Sequence, residues 1–211
     1  GYCNMYSPIM DVMRDQRWGR CEESYGEDPY LVSELGIQVV KAIQAKGVVS
    51  TVKHYCIYAN NKGAREGYAR TDPRISLREA EMLHLWPFER VFREAQPLGV
   101  MSSYNDYDGV PVTGSYYYLT ELLRERFGFK GYVVSDSDSV EYLDRKHKVA
   151  GNYKEGVRQT VMAGLNVRTT FTPPHVFLNP LRELVNEGSI PMEVIDSRVR
   201  DVLRVKMWEG L

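Results

Sequence analysis

The side chains of this chain that could do chemistry gather where apolar runs stop. Five short segments rich in apolar and β-forming residues recur: Asn4 to Val12, Val48 to Tyr55, Gly99 to Asn105, Gly131 to Asp136 and Gly164 to Thr169. The first leads into Arg14-Asp15-Gln16-Arg17-Trp18-Gly19-Arg20 and the second into Lys53-His54. The third leads into Tyr104-Asn105-Asp106, the fourth into Asp136-Ser137-Asp138, and the fifth into Asn166 and Arg168. Carboxylate, imidazole, ammonium, guanidinium and phenol groups on one rim can serve nucleophilic and acid–base chemistry, with the cations keeping a carboxylate ionised. Each group also has a plainer explanation. Arg17 or Arg20 can stack on Trp18 at the surface, Lys53-His54 can be a solvated strand end, and Asp136 can cap the next helix, a role Asp138 fits at least as well.

Longer stretches of helical periodicity lie between these segments. Asp28 to Lys46 has Pro29 at its first position and Gly47 as its stop. Ser76-Leu77-Arg78-Glu79 is a capping box opening a helix that runs through Val91, where Pro87 predicts a kink or a division. Tyr118 to Arg126, Tyr153 to Ala163, His175 to Glu187 and Met192 to Trp208 complete the set. The stripes Leu119, Leu122, Leu123, Phe127 and Val194, Ile195, Val199, Val202, Leu203 are expected to face the core. Strand, loop and helix repeated five times is the βαβ pattern of a parallel sheet buried under helices, so the class is α/β. A doubly wound open sheet and a (β/α)8 barrel compete. No GxGxxG opens a helix and no GxxxxGK[ST] occurs, which removes the main support for nucleotide-binding open sheets. The sequence therefore predicts a parallel (β/α)8 TIM-type barrel, of which this chain supplies about five βα units.

Composition narrows the function. The chain has 211 residues, 43% hydrophobic and 26% charged, enough for a sizeable core and without a disorder signature. The formal net charge of −1 provides no basic field for nucleic acid or an anionic membrane. Cys3, Cys21 and Cys56 form neither a disulfide framework nor a metal-ligand spacing and are expected to be buried or half-buried thiols. Lys53, at a strand end, is flanked by polar neighbours instead of the apolar pocket a Schiff-base lysine needs. No metal or organic cofactor is implied. There is no 18-residue apolar run and no signal-like leader, and the chain enters strand-like sequence directly from Gly1, as a cut segment would. The compartment is left open.

The motifs, taken together in order, carry a resemblance. Ser7-Pro8-Ile9-Met10-Asp11-Val12-Met13-Arg14-Asp15-Gln16-Arg17-Trp18-Gly19-Arg20, followed by Glu23-Ser24-Tyr25-Gly26-Glu27-Asp28-Pro29-Tyr30, resembles the "SP…RDPRWGR…E…GEDPYL" signature of glycoside hydrolase family 3. Lys53-His54-Tyr55 resembles its "KHF" strand, Met101-Ser102-Ser103-Tyr104-Asn105 with Gly109-Val110-Pro111 its "MSSYN…NGVP" segment, and Gly131-Tyr132-Val133-Val134-Ser135-Asp136 its "GFVVSD" segment. Ile195-Asp196-Ser197-Arg198-Val199-Arg200-Asp201-Val202-Leu203-Arg204 resembles the helix closing its barrel domain. The resemblance implies a retaining, exo-acting β-glucosidase or β-xylosidase, with a β-linked oligosaccharide or an aryl or alkyl glycoside as substrate. It implies Asp136 as the nucleophile that forms a glycosyl-enzyme intermediate. Arg20, Lys53, His54 and Arg65 would then bind sugar hydroxyls, with Met101 and Tyr104 lining the subsite.

Departures from the family pattern bound these expectations. The family takes a sugar-binding acid from a strand ahead of the "RDPRWGR" segment and, in most members, a general acid/base glutamate from a C-terminal α/β domain. Both are expected outside residues 1–211, which would then be one partial catalytic barrel domain working with the remaining segments of the same enzyme. The alternative is a catalytically weak sugar-binding or oligomerising fragment. Lys53-His54-Tyr55-Cys56-Ile57-Tyr58 departs from the "KHFPGHG" loop of the β-hexosaminidase branch. Ser137 stands where many β-glucosidases have Trp and where a small residue occurs in many xylosidase-like members. Asn166 stands where Asp is common.

Overall fold

The computed structural model describes residues 2–59 and 72–210. Arg65, expected to bind sugar, lies outside the described residues. In chain order the strands are β1 (Asn4–Met5), β2 (Val49–Tyr55), β3 (Gly99–Ser102), β4 (Asp106–Tyr107), β5 (Val110–Pro111) and β6 (Tyr132–Ser135). The helices are α1 (Pro29–Gln44), α2 (Leu77–Glu79), α3 (Trp86–Glu94), α4 (Tyr142–Arg145), α5 (Tyr153–Ala163), α6 (His175–Asn186) and α7 (Met192–Trp208), with π-helical turns at Ala80–Leu85 and Tyr117–Arg126.

Four strands form one parallel sheet in the order β1-β2-β3-β6, and Val134 of β6 bridges in parallel to Val167 of the fifth apolar segment. The order grows in one direction along the sequence, as in the wall of a barrel, whereas a doubly wound sheet reverses its order. The class is thus α/β with a parallel sheet, and the sheet follows a barrel course. β2 and β3 are buried almost everywhere, as expected for parallel strands covered on both faces. Val52, Val100 and Val133 of the sheet meet Val32, Ile37 and Val40 of α1, Phe88 and Phe92 of α3, Leu119 and Leu122, and Val157 of α5 in the main core. A second, smaller cluster of Ile9, Trp18, Tyr58, Ala59 and Tyr104 surrounds the site described below.

Several elements differ from the sequence-based expectation for local reasons. The first apolar segment is laddered only at Asn4 and Met5 and again at Ile9, which bridges Lys53. The run opened at Ser76 is divided just before Pro87, as expected, with the π-helical turns at Ala80–Leu85 giving way to α3 at Trp86. Pro87 falls in the first turn of α3, where its missing N–H is tolerated. The β4–β5 hairpin was not anticipated, although Asp108-Gly109, both at positive φ, is the two-residue turn such hairpins prefer. Cys3 is exposed, lying just before the short β1, while Cys21 is half-buried and Cys56 buried. Val199 and Leu203 of the expected core stripe are also exposed. Asp201, paired with Arg124 at 3.0 Å, faces inward and fixes the rotation of α7. Residues two positions away lie roughly 200° around the helix, so Val199 and Leu203 turn outward.

Candidate active site

The local path of β2 decides what its end presents. Val52 lies opposite Val100, but the next partner pair is Tyr55 with Ser102, so β2 carries one extra residue between them. In a regular strand consecutive side chains point to opposite faces. The irregularity re-aims them, and both Lys53 and His54 line one cleft.

That cleft has a volume of about 470 Å3 and opens at the C-terminal ends of the strands. It is lined by Arg20, Lys53, His54, Met101, Tyr104 and Asp136, with Tyr6, Ser137, Asp138, Tyr142, Thr169 and Phe171 around them. Every sequence-predicted site residue within the described part is therefore brought to one place. Arg168 is not among them: it pairs with buried Glu141 and with the Thr170 and Thr172 hydroxyls.

Asp136 follows β6 directly and is buried. The Ser137 N–H donates to its Oδ1 at 2.7 Å. Its Oδ2 has no hydrogen-bond partner among the described residues and lies 3.6 Å from His54 Nε2. The capping alternative fails, because α4 has no side-chain cap and Asp138 Oδ1 instead accepts the Thr170 hydroxyl at 2.8 Å.

Arg20 is buried, with Nε and a terminal nitrogen on the two oxygens of Glu23 at 2.6 and 2.7 Å. Its guanidinium carbon lies 6.0 Å from the Trp18 ring centre and 5.8 Å from that of Tyr58. The Trp18 stacking is thus an interior contact that props a cleft residue, while Arg17 faces solvent and pairs with Asp15. Burial alone pulls Arg20 down, but its Glu23 hydrogen bonds and the charges of Asp11 and Glu23 outweigh burial and raise it above the usual arginine value. The same hydrogen bonds hold Glu23 below the usual carboxylate range against burial. Burial, followed by the Arg20 charge, pulls the Lys53 ammonium below its ordinary value, while Glu23, Asp136 and Asp11 act in the opposite sense. Burial pushes the Tyr58 phenol up to about 12.

The arrangement presents one carboxylate with an unpartnered oxygen, two cations and an imidazole beside aromatic faces, a setting for a polar ligand with hydroxyl groups. Sequence reasoning quoted Asp11, Glu23 and Tyr58 within its motifs but gave them no role in the site. The available signals were a lone acid inside the apolar run Ile9 to Val12 and a glutamate three residues after Arg20.

A family model described as the glycosyl hydrolase family 3 N-terminal domain matches residues 2–205. The chain is 34% identical over 229 residues to a β-xylosidase of Formosa agariphila, covering 100% of this chain and 31% of that protein. It is 33% identical to a periplasmic β-glucosidase of Salmonella typhimurium, covering 98% of this chain and 27% of that one. Among solved structures, the β-glucosidase from Listeria innocua in complex with glucose superposes with a TM-score of 0.89 at 30% identity, covering 99% of this chain and 29% of that chain. The chain thus spans less than a third of the length of these relatives.

Proposed function

This chain belongs to glycosyl hydrolase family 3, and from that membership and the cleft we propose that it supplies the nucleophile-bearing domain of a retaining β-glycosidase. Residues 1–211 are read as a single, partial catalytic barrel domain. The substrate is a terminal, non-reducing β-D-glucosyl or β-D-xylosyl residue of an oligosaccharide or simple glycoside, in keeping with the names of the relatives. An oxygen of Asp136 bonds to the anomeric carbon as the bond to the leaving oxygen breaks. The bonding pair departs with that oxygen, which takes a proton from a general acid. Water then attacks the same carbon, gives up a proton to the conjugate base, and releases Asp136 as a carboxylate.

The observation that carries this reading is the Asp136 carboxylate, held at a strand end by one N–H with its second oxygen unpartnered among the described residues. The flanking Arg20 and Lys53 offer charge-assisted hydrogen bonds to sugar hydroxyls. The general acid/base is assigned to a glutamate outside residues 1–211, at about 5 to 5.5 Å from Asp136, the separation retention requires. Within the cleft, the other aspartate, Asp138, is bound to Thr170.

Two substitutions in the intact protein test the assignment. Asp136→Asn removes the nucleophile and is expected to lower kcat on an aryl glycoside by at least about a thousandfold without unfolding. Asp138→Asn leaves most of the activity. Equal losses from both variants would overturn the assignment.

A further inference from the structure

Asp11 takes no part in the chemistry just described, yet it is among the most deeply buried carboxylates of the site. It lies two residues after Ile9, whose bridge to Lys53 locks this segment against the irregular end of β2. The Met10 N–H donates to the Lys53 carbonyl at 2.6 Å, and the Lys53 N–H donates to the Pro8 carbonyl at 3.0 Å. The Ser24 hydroxyl donates to the Asp11 carbonyl at 2.8 Å and holds it from the other side. One oxygen of its carboxylate, Oδ2, accepts the main-chain N–H of His54 at 3.0 Å and meets His54 Nδ1 at 2.8 Å. The side chains of both residues are 1% exposed.

An ionised carboxylate can only accept, so Nδ1 must be the donor of that short contact. The bond made at one ring nitrogen decides what the other presents. Nε2 is then the atom turned toward Asp136 Oδ2, 3.6 Å away. The Tyr58 ring packs edge-on to the imidazole, with centroids 5.2 Å apart, and leaves the ring little room to swing.

We propose that Asp11 is a positioning residue for the reaction. By clamping both the main chain and Nδ1 of His54 it fixes the imidazole in the Nδ1–H form and sets Nε2 at a defined place beside the nucleophile. The proposal rests on the reading of Asp136 as nucleophile. Asp11 acts through His54 and touches no substrate, so its removal slows the chemical step more than it weakens binding.

The test uses the intact protein with 15N-labelled histidine, the His54 resonances being assigned by their loss in His54→Gln. In the wild type Nδ1 carries a proton. Asp11→Ala abolishes that pattern and slows labelling by a 2-deoxy-2-fluoro-glycosyl fluoride by about ten- to a hundredfold, the scale expected when a reacting group is misplaced by about an ångström. Asp11→Asn, whose amide oxygen can hold both N–H groups, keeps the nitrogen pattern and slows labelling by about two- to tenfold, since a charge-assisted bond becomes a neutral one. An unprotonated Nδ1 in the wild type, or Asp11→Ala labelled as fast as wild type, overturns the proposal. Should Asp11→Ala fail to fold, the wild-type spectrum and Asp11→Asn decide, and an Asn variant with an unchanged labelling rate counts against it. A wild-type protein that takes no label overturns the glycosidase reading instead, and the nitrogen spectrum still decides whether Asp11 sets the tautomer.

Discussion

Lys53 shows how a single side chain can be tuned by its neighbours. It sits beside Arg20, whose like charge, added to burial, pulls its ammonium below the ordinary lysine value. In the proposed reaction Lys53 donates to a sugar hydroxyl, and a hydrogen bond from an ion is worth about 1.5–3 kcal/mol. Lys53→Met, similar in length but uncharged, is therefore expected to lower kcat/KM by roughly ten- to a hundredfold, measured by initial rates on an aryl glycoside. A loss under twofold would mean that the ammonium does not reach the substrate. Residues such as Lys53, His54, Tyr104 and Asp136 were legible in the sequence because each stands where an apolar run ends. Asp11 was not, since it sits inside an apolar run and its function depends on a partner 43 positions away. Glu23, although part of the quoted signature, drew no role for a similar reason: its role exists only once Arg20 is buried against it.

At the scale of elements, the cleft depends on how β6 is held against its neighbours. Asn166 is the joint. Its Oδ1 accepts the Val133 N–H at 2.7 Å and an Arg124 nitrogen at 3.0 Å, while its Nδ2 donates to the Arg198 carbonyl at 2.9 Å and to Asp201 Oδ2 at 3.1 Å. An aspartate could serve the first pair but would set a carboxylate against a carbonyl and against Asp201, which accounts for asparagine in this chain. Asn166→Asp is expected to cost about 1–3 kcal/mol, read as a lower urea midpoint with an unchanged slope. A variant as stable as wild type would contradict this account of the joint. The long helices were the most legible elements: α5 and α7 run over the residues their periodicity predicts. The ends of strands were less so, because apolar content marks a buried segment but not where its hydrogen-bond ladder stops. Thus Gly164 to Thr169 contributes a single bridge at Val167.

For the whole molecule, acid sensitivity follows from buried histidines. Burial, with the Arg14 charge in the same sense and Asp11 opposing, pushes His84 down to about 4, and burial lowers His147 as well. The unfolded chain takes up a proton near pH 6.5, whereas folded His84 does so only near its lowered value. The unfolded state therefore binds more protons in that window. The contribution of His84 to stability is fully present above about pH 6.5 and is lost as the pH falls toward 4, by up to about 1.4 kcal/mol per pH unit. Urea midpoints between pH 7 and 4.5 are expected to fall more steeply in the wild type than in His84→Leu, and parallel profiles would contradict the assignment. The fold as a whole was legible because five apolar segments alternating with helices admit few parallel topologies. The direction of sheet growth, which favours a barrel course over a doubly wound sheet, appears only in the strand order. The central claim is that Asp136 becomes covalently glycosylated, and its most direct test is mass spectrometry of the intact protein after incubation with 2-deoxy-2-fluoro-glucosyl and -xylosyl fluorides. The account predicts one added sugar that maps to the peptide containing Asp136, with the faster reagent identifying the preferred sugar. A label on another residue, or no label from either reagent, would contradict it.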